Sequence, residues 1–146
     1  MTQIEYDIIM AIFGEKDFQQ QLIIKKMTKD LNFPVKIISL PTVRAMDGLA
    51  LSSRNKYLNP AERVQAVYLY RALKLAAEEI RQGEKSPQKI LRQMKSLIAA
   101  KTKARLDYLV MVDPETLAEK RKITGQVLIA VAADFGRTRL IDNITI

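Results

Sequence analysis

Apolar and polar positions near the start of the chain predict a strand, a helix and a second strand. Residues 7–13 form an apolar run of β-forming residues that stops at Gly14, and a second such run covers residues 35–40. Between them, residues 18–31 place apolar side chains at helical spacing on the predicted packed face, namely Phe18, Leu22, Ile23, Met27 and Leu31. This order is typical of a βαβ unit with a parallel sheet, whose ligands lie beyond the carboxyl ends of the strands.

The segment 41–57 has no sustained periodicity and is predicted to be a polar loop. Loops of this length inside compact domains are usually functional, so the segment is a candidate site. A helix start follows it, with Asn59 as N-cap, Pro60 at the first helical position and Glu62 placed to complete a capping box. We expect this helix to end at Gly83.

The rest of the chain predicts one more helix and then three strands. Ser86 and Pro87 open the helix, whose apolar stripe consists of Ile90, Leu91, Met94, Leu97 and Ile98. The predicted strands cover residues 106–112, 127–133 and 138–144, and Asp113 is placed to cap a short helical turn after the first of them. Two helices followed by three closely connected strands are typical of a small α+β unit with an antiparallel sheet.

Composition excludes several kinds of chemistry. The chain has no Cys and no His, so it has no disulfide, no thiolate nucleophile and no imidazole base or metal ligand. Catalysis would rest on Lys, Arg, Ser, Asp, Glu, Gln or backbone groups, which favours phosphate chemistry. The longest uncharged run, residues 123–133, is too short to cross a bilayer, and the amino terminus does not resemble a secretory signal. We expect a soluble, cytoplasmic protein with no membrane partner.

The formal charge of +8 raises the question of a polyanionic partner. Seven basic residues and no acidic one lie between Lys85 and Arg105, which is compatible with a nucleic-acid surface or with a solvated helix face. We favour the solvated face because no aromatic residue alternates with these charges to stack on bases. Nucleic acid is therefore not an expected partner.

The turn between the first strand and helix is a candidate phosphate site. It reads Gly14-Glu15-Lys16-Asp17, where glycine permits close approach of a ligand to the backbone and a helix amino terminus attracts anions. A solvated turn with Asp17 as N-cap explains the same residues. The following Gln19, Gln20 and Gln21 are equally open to interpretation, because consecutive helical residues point in different directions.

A second candidate lies in the 41–57 loop, where Ser52, Ser53 and Arg54 follow one another. Two hydroxyls and a guanidinium on a loop can bind polyphosphate oxygens and neutralise the charge of a transition state. The alternative is a linker whose serines make local hydrogen bonds to the backbone.

Two long motifs occur in order along the chain. They read Phe13-Gly14-Glu15-Lys16-Asp17-Phe18-Gln19-Gln20 and Asp47-Gly48-Leu49-Ala50-Leu51-Ser52-Ser53-Arg54-Asn55-Lys56-Tyr57-Leu58. Together with Pro41-Thr42-Val43-Arg44 and the closing segments Val131-Ala132-Ala133 and Thr138-Arg139-Leu140-Ile141-Asp142-Asn143, they resemble the pantothenate synthetase family, the pantoate:β-alanine ligases. The resemblance covers residues 11–146.

This resemblance implies an α/β fold, in which a partial Rossmann-like βαβ piece precedes a small α+β lid domain of two helices and a three-stranded antiparallel sheet. It also implies an ATP-dependent ligase of pantothenate (vitamin B5) biosynthesis, which joins pantoate and β-alanine through a pantoyl adenylate. ATP is then a substrate, Mg²⁺ is held mainly by the ATP phosphates, and no metal-ligand set is expected in the protein.

The first motif carries four of the roles that the resemblance implies. Lys16 contacts phosphate, Gly14 and Asp17 contact the ribose, and Gln20 contacts pantoate. A lysine at this place agrees with the physical interpretation, because a cation stabilises phosphoryl charge without acting as a nucleophile.

The second motif and the segment before it carry the remaining roles. Val43 meets the adenine through its backbone, and Ser52, Ser53 and Arg54 form the counterpart of the KMSKS loop on the triphosphate. Lys16 and these three residues are the expected catalytic groups, acting through positioning and charge stabilisation.

The resemblance divides the chain into a Rossmann-like remnant (residues 1–41), a phosphate loop and hinge (42–58) and a lid domain (59–146). The family's amino-terminal His-x-Gly-His motif is not in this sequence. We therefore expect a truncated, carboxy-terminal part that is inactive alone and associates with another copy or with a complementary amino-terminal half. The alternatives are a non-catalytic nucleotide-binding or interaction module of that ancestry and, on charge alone, a basic nucleic-acid-binding domain.

Overall fold

The computed structural model describes residues 9–146, which form two compact units that divide between Thr42 and Val43. The first unit contains β1 (Ile9–Gly14), a 3-10 helix (Glu15–Asp17), α1 (Phe18–Asp30) and β2 (Val35–Leu40). The two strands pair in parallel, with Ile9 opposite Val35 and Gly14 opposite Leu40. The predicted βαβ unit is confirmed, and the first two residues of the predicted strand, 7 and 8, lie outside the described residues.

The predicted packed face of α1 is wrong at three of its five positions. Ile23, Met27 and Leu31 are exposed, whereas Phe18 and Leu22 are half-buried. The partly buried side of α1 instead runs through Leu22, Ile24 and Thr28, so Ile23, Met27 and Leu31 lie outside the covered side of the helix.

The second unit contains α2 (Pro60–Arg81), α3 (Pro87–Lys101), β3 (Arg105–Val112), β4 (Leu128–Phe135) and β5 (Thr138–Thr145). Its sheet is antiparallel, as predicted, and the strand order is β3-β4-β5. The capping box of α2 is also confirmed, because Glu62 N–H donates to Asn59 Oδ1 (2.8 Å) and Asn59 N–H donates to Glu62 Oε2 (2.9 Å). Ser86 Oγ caps α3 by accepting from Lys89 N–H.

The core of the second unit lies between the two helices and the sheet. Its largest fully buried side chains are Leu69, Leu73, Ile90, Met94, Ile98, Val127, Ile129, Val131 and Phe135. The central strand β4 is buried along most of its length, because β3 and β5 flank it and the helices cover it. Fully burying each large apolar side chain contributes about 1.5–3 kcal/mol, so this unit has a substantial core of its own.

The connection after β3 begins with the single helical turn that the sequence predicts, in which Leu117 N–H donates to the Asp113 carbonyl oxygen (2.9 Å). Asp113 Oδ1 accepts from the N–H groups of Glu115 (3.0 Å) and Thr116 (3.1 Å), and the carboxylate pairs with Lys120 at 3.0 Å. The hydrogen bond from Lys120, followed by those from the two backbone groups, lowers the pKa of Asp113 to about 2. The Asp113 side chain thus caps the backbone N–H groups of this turn.

Candidate active site

The first candidate site lies at the carboxyl end of β1. Gly14 has ordinary extended dihedral angles (φ −78°, ψ 141°), and a Cβ atom built on it would meet no heavy atom of the described residues within 4 Å. The glycine therefore leaves open surface at the end of the strand and is not required by backbone strain. Lys16 is half-buried and Asp17 is exposed in the 3-10 helix that follows.

Asp17 occupies the N-cap position of α1, but its side chain makes no capping hydrogen bond. The interpretation of this residue as a helix cap is therefore wrong, and its carboxylate is exposed at the end of β1. An exposed carboxylate beside an open glycine has the chemistry needed to accept hydrogen bonds from sugar hydroxyls.

The three consecutive glutamines of α1 differ in burial. Gln21 is buried, donates to the carbonyl oxygen of Phe13 (3.4 Å) and accepts from Lys25 Nζ (3.4 Å). Gln19 and Gln20 are exposed on the first turn of the helix. Gln21 thus ties α1 to β1, and Gln20 is one of the two exposed glutamines.

The second candidate site begins with an anchored segment, residues 43–51. Arg44 and Ala50 form an antiparallel bridge, and the Val43 carbonyl oxygen accepts from Leu51 N–H (2.9 Å). Leu49 and Ala50 are buried, whereas Val43 is exposed. The predicted irregular loop therefore contains a compact turn immediately before Ser52.

An ion pair holds this segment to the last strand of its unit. The Arg44 guanidinium donates twice to the Asp142 carboxylate (2.7 and 2.9 Å) and once to the Gly48 carbonyl oxygen (3.2 Å). It also lies 3.8 Å from the centroid of the Tyr70 ring. Sequence analysis identified Arg44 only as part of a motif and missed this cluster, because Asp142 is 98 residues away.

Gly48 closes the turn at a position that other residues would not tolerate. Its φ is +97°, and a Cβ atom there would clash with the Tyr70 ring. Beside it, the Asp47 carboxylate pairs with Arg63 (2.8 Å), whose hydrogen bond lowers the pKa of that carboxyl. The segment thus reaches Ser52 in one defined conformation.

Ser52, Ser53 and Arg54 follow this anchor. Ser52 caps a 3-10 helix over Ser53–Tyr57, with its Oγ accepting from Arg54 N–H (3.3 Å). Ser53 and Arg54 are exposed, and the Arg54 guanidinium makes one long hydrogen bond to the Arg139 carbonyl oxygen (3.5 Å). The local bond predicted for a linker serine is present at Ser52, while Ser53 and Arg54 present polar groups to solvent.

Arg54 lines an open cavity of about 870 Å³ within the second unit. The other lining residues are Tyr57, Asn59, Glu62, Gly136, Arg137, Thr138 and Arg139. The predicted site residues are thus distributed over both units. Gly14, Lys16, Asp17 and Gln20 belong to the first, and Val43, Ser52, Ser53 and Arg54 to the second.

The described residues provide neither a metal cluster nor a membrane span. No group of three or more Asp and Glu side chains in residues 9–146 is arranged to hold a metal ion. None of the helices formed by these residues is long and apolar enough to cross a membrane.

Comparison with known proteins identifies the family. A family model described as Pantoate-beta-alanine ligase matches residues 6–145, so the match begins ahead of Ala11, where the motif resemblance starts. The pantothenate synthetase of Moorella thermoacetica is 51% identical over 136 residues, which are 93% of this chain and 48% of that protein. The chain spans about half the length of the curated relatives it matches.

Solved structures agree with the sequence comparison. The crystal structure of pantothenate synthetase from Thermus thermophilus matches with a TM-score of 0.88 and 45% identity, over 92% of this chain and 49% of that one. Pantoate-beta-alanine ligase from Francisella tularensis, complexed with beta-gamma ATP and beta-alanine, matches with a TM-score of 0.58 and 30% identity, over 92% and 42%. With its fold, its motifs and this match over nearly its whole length, the chain belongs to the pantoate-beta-alanine ligase family.

Proposed function

We propose that the chain supplies the carboxy-terminal part of a cytoplasmic, ATP-dependent ligase that joins pantoate and β-alanine. In the first step, a pantoate carboxylate oxygen attacks the α-phosphorus of ATP, which forms pantoyl adenylate and releases pyrophosphate. In the second, the β-alanine amine attacks the acyl carbon, loses a proton and displaces AMP to form the amide. Both steps depend on positioning and charge stabilisation, which suits the Lys, Arg and Ser side chains that this chain contributes.

In this proposal the first unit binds the nucleotide sugar and pantoate. Lys16 contacts phosphate, Gly14 and Asp17 contact the ribose, and Gln20 contacts pantoate. The open surface at Gly14 and the uncapped carboxylate of Asp17 support these roles, because both groups lie at the strand end where α/β ligands bind.

The second unit contributes to the triphosphate and the adenine. Ser52, Ser53 and Arg54 act as a KMSKS-like loop on the phosphates, and Val43 meets the adenine through its backbone. Mg²⁺ would be held mainly by phosphate oxygens and would neutralise their charge. The observation that carries the proposal is the exposure of Ser53 and Arg54 directly after an anchored turn, in a chain of this family.

We also propose that residues 1–41, 42–58 and 59–146 act as nucleotide-binding remnant, phosphate loop and lid. The division of the compact units between Thr42 and Val43 supports a boundary at the start of the loop. The Arg44–Asp142 pair further ties the loop to the lid, so the two would act together.

The decisive experiment measures AMP formation from ATP, pantoate and β-alanine with Mg²⁺. The chain is assayed alone and mixed with a separately prepared amino-terminal half of a family member. We expect turnover only in the mixture, and we expect Arg54→Ala to reduce it by at least about tenfold because a guanidinium on the phosphates is lost. Arg92→Ala, which removes an exposed charge from α3, is the matched control.

Each outcome has a defined meaning. Turnover by the chain alone would refute its dependence on a second half. If neither sample turns over and calorimetry detects no ATP binding in the mixture, the chain is a non-catalytic module of the family and the ligase proposal fails. Equal activity of the Arg54→Ala and Arg92→Ala variants would exclude the proposed role of the loop.

A further inference from the structure

The tip of the β4–β5 hairpin forms one wall of the cavity beside Arg54. Phe135 pairs with Thr138, so the turn consists of Gly136 and Arg137 alone. Gly136 has φ +58°, as two-residue hairpin turns require, and a Cβ atom there would lie 2.5 Å from Glu62 Oε1. The hairpin tip is therefore packed against the first turn of α2, which fixes the backbone that carries Arg137.

The charged residues that line this cavity differ in their ion pairs and hydrogen bonds. Arg139 donates twice to Asp107 (2.9 and 2.7 Å), so its charge is already paired. Glu62 is the acidic lining residue, and its Oε2 accepts from Asn59 N–H. The Arg137 side chain makes no hydrogen bond or ion pair with any residue that the structure describes, although the neighbouring Gly136 packs closely against Glu62.

Arg54, like Arg137, has no ion pair with a described residue, and its side chain makes few hydrogen bonds. Its guanidinium lines the cavity and makes a single hydrogen bond, at 3.5 Å, so most of its N–H donors have no acceptor among the described residues. Two guanidinium groups on one cavity repel each other unless an anion lies with them. Guanidinium forks bind phosphate oxygens in pairs of parallel hydrogen bonds, which makes a polyphosphate a fitting ligand.

We infer that Arg137 and Arg54 together bind the β- and γ-phosphates of the nucleotide, or the pyrophosphate that they become. The cavity volume of about 870 Å³ lies within the range of small-molecule sites and leaves room for a hydrated polyphosphate. The inference adds the hairpin tip to the phosphate loop, and it rests on the proposed function for the identity of the anion. Glu62 disfavours an anion at the α2 end of the cavity, so the ligand lies toward the two arginines.

The test is calorimetric titration of the whole chain with inorganic pyrophosphate at low ionic strength. Arg137→Ala and Arg54→Ala are each expected to weaken binding by about tenfold, which corresponds to about 1.4 kcal/mol. Arg137→Lys, which keeps the charge but loses the fork, is expected to fall between wild type and Arg137→Ala. Arg92→Ala removes the same charge from the exposed face of α3 and is expected to change the affinity by less than about twofold.

Separate titrations with a non-hydrolysable ATP analogue and with AMP distinguish the source of the phosphates. Tight binding of pyrophosphate and weak binding of AMP would support a β,γ-phosphate site, and an effect of Arg137→Ala on the analogue alone would assign Arg137 to the bound nucleotide. Three results would each overturn the inference. The wild-type chain could bind neither pyrophosphate nor the analogue, Arg54→Ala could weaken binding while Arg137→Ala does not, or Arg92→Ala could weaken binding as much as the other two variants. Thermal unfolding of each variant verifies folding. The turnover experiment judges the ligase proposal independently of these results.

Discussion

At the residue scale, the buried pair between Arg44 and Asp142 anchors the segment 43–51 to the last strand of its unit. The Asp142 side chain is only 3% exposed, so Asp142→Ala would leave a guanidinium with 17% exposure unpaired. We expect this change to lower the free energy of unfolding by about 3–5 kcal/mol, as measured by chemical denaturation. Arg63→Ala breaks an exposed pair with Asp47 but keeps the Leu49 N–H bond to that carboxylate, and it should cost only about 0–1 kcal/mol. Similar losses in the two variants would contradict this role of Asp142.

The same pair shows which residue-level facts are readable from sequence. The motif containing Arg44 identified the family, but neither periodicity nor local spacing indicates that Arg44 meets Asp142, which is 98 positions further along the chain. Asp17 shows the opposite error. It has a residue type that commonly caps helices and stands at the N-cap position, yet its side chain makes no capping bond.

At the element scale, the turn after β3 is expected to respond to acid. The Lys120 hydrogen bond and two backbone N–H groups lower the pKa of Asp113 from 3.8 to about 2. Because the folded pKa is depressed, the turn's stabilisation is complete above the unfolded value and is lost as the pH falls from about 4 to about 2. The carboxyl chemical shift of Asp113 should titrate near pH 2, and Asp113→Asn should reduce the pH dependence of unfolding in this range. Titration near pH 4 would contradict the described turn.

The ends of helices and strands are determined by residues close in sequence, whereas the burial of a helix face depends on which neighbouring elements pack against it. The start of α2 was predictable because Asn59, Pro60 and Glu62 determine it among themselves. Strand β2 was likewise predicted to the residue, because Pro34 precedes a short apolar run. The packed face of α1 was not predictable, since the helical spacing of its apolar residues does not say which of them a neighbouring sheet will cover.

At the scale of the whole molecule, the fold class and family were predictable, because the strand and helix order and the two long motifs agree with each other. Apart from the local backbone bond at Ser52, the contacts of the predicted site residues were not. Gly14, Lys16, Asp17 and Gln20 lie in one compact unit and Ser52, Ser53 and Arg54 in the other. Their joint action on one ATP molecule therefore stays part of the proposal, which turnover measurements test.

The exposed apolar residues of β1 predict association. Parallel sheets are normally covered on both faces, yet Ile12 is 61% exposed and Ile9 and Met10 are also exposed. We expect the 16.6 kDa chain to sediment as a larger species, and Ile12→Lys to weaken that association by at least about tenfold by burying a charge in the contact. Val64→Lys alters an equally exposed apolar residue of α2, at 69%, and should leave sedimentation unchanged. A monodisperse monomer that binds no apolar dye would refute the prediction, whereas association sensitive to Ile12→Lys alone would assign the contact to β1.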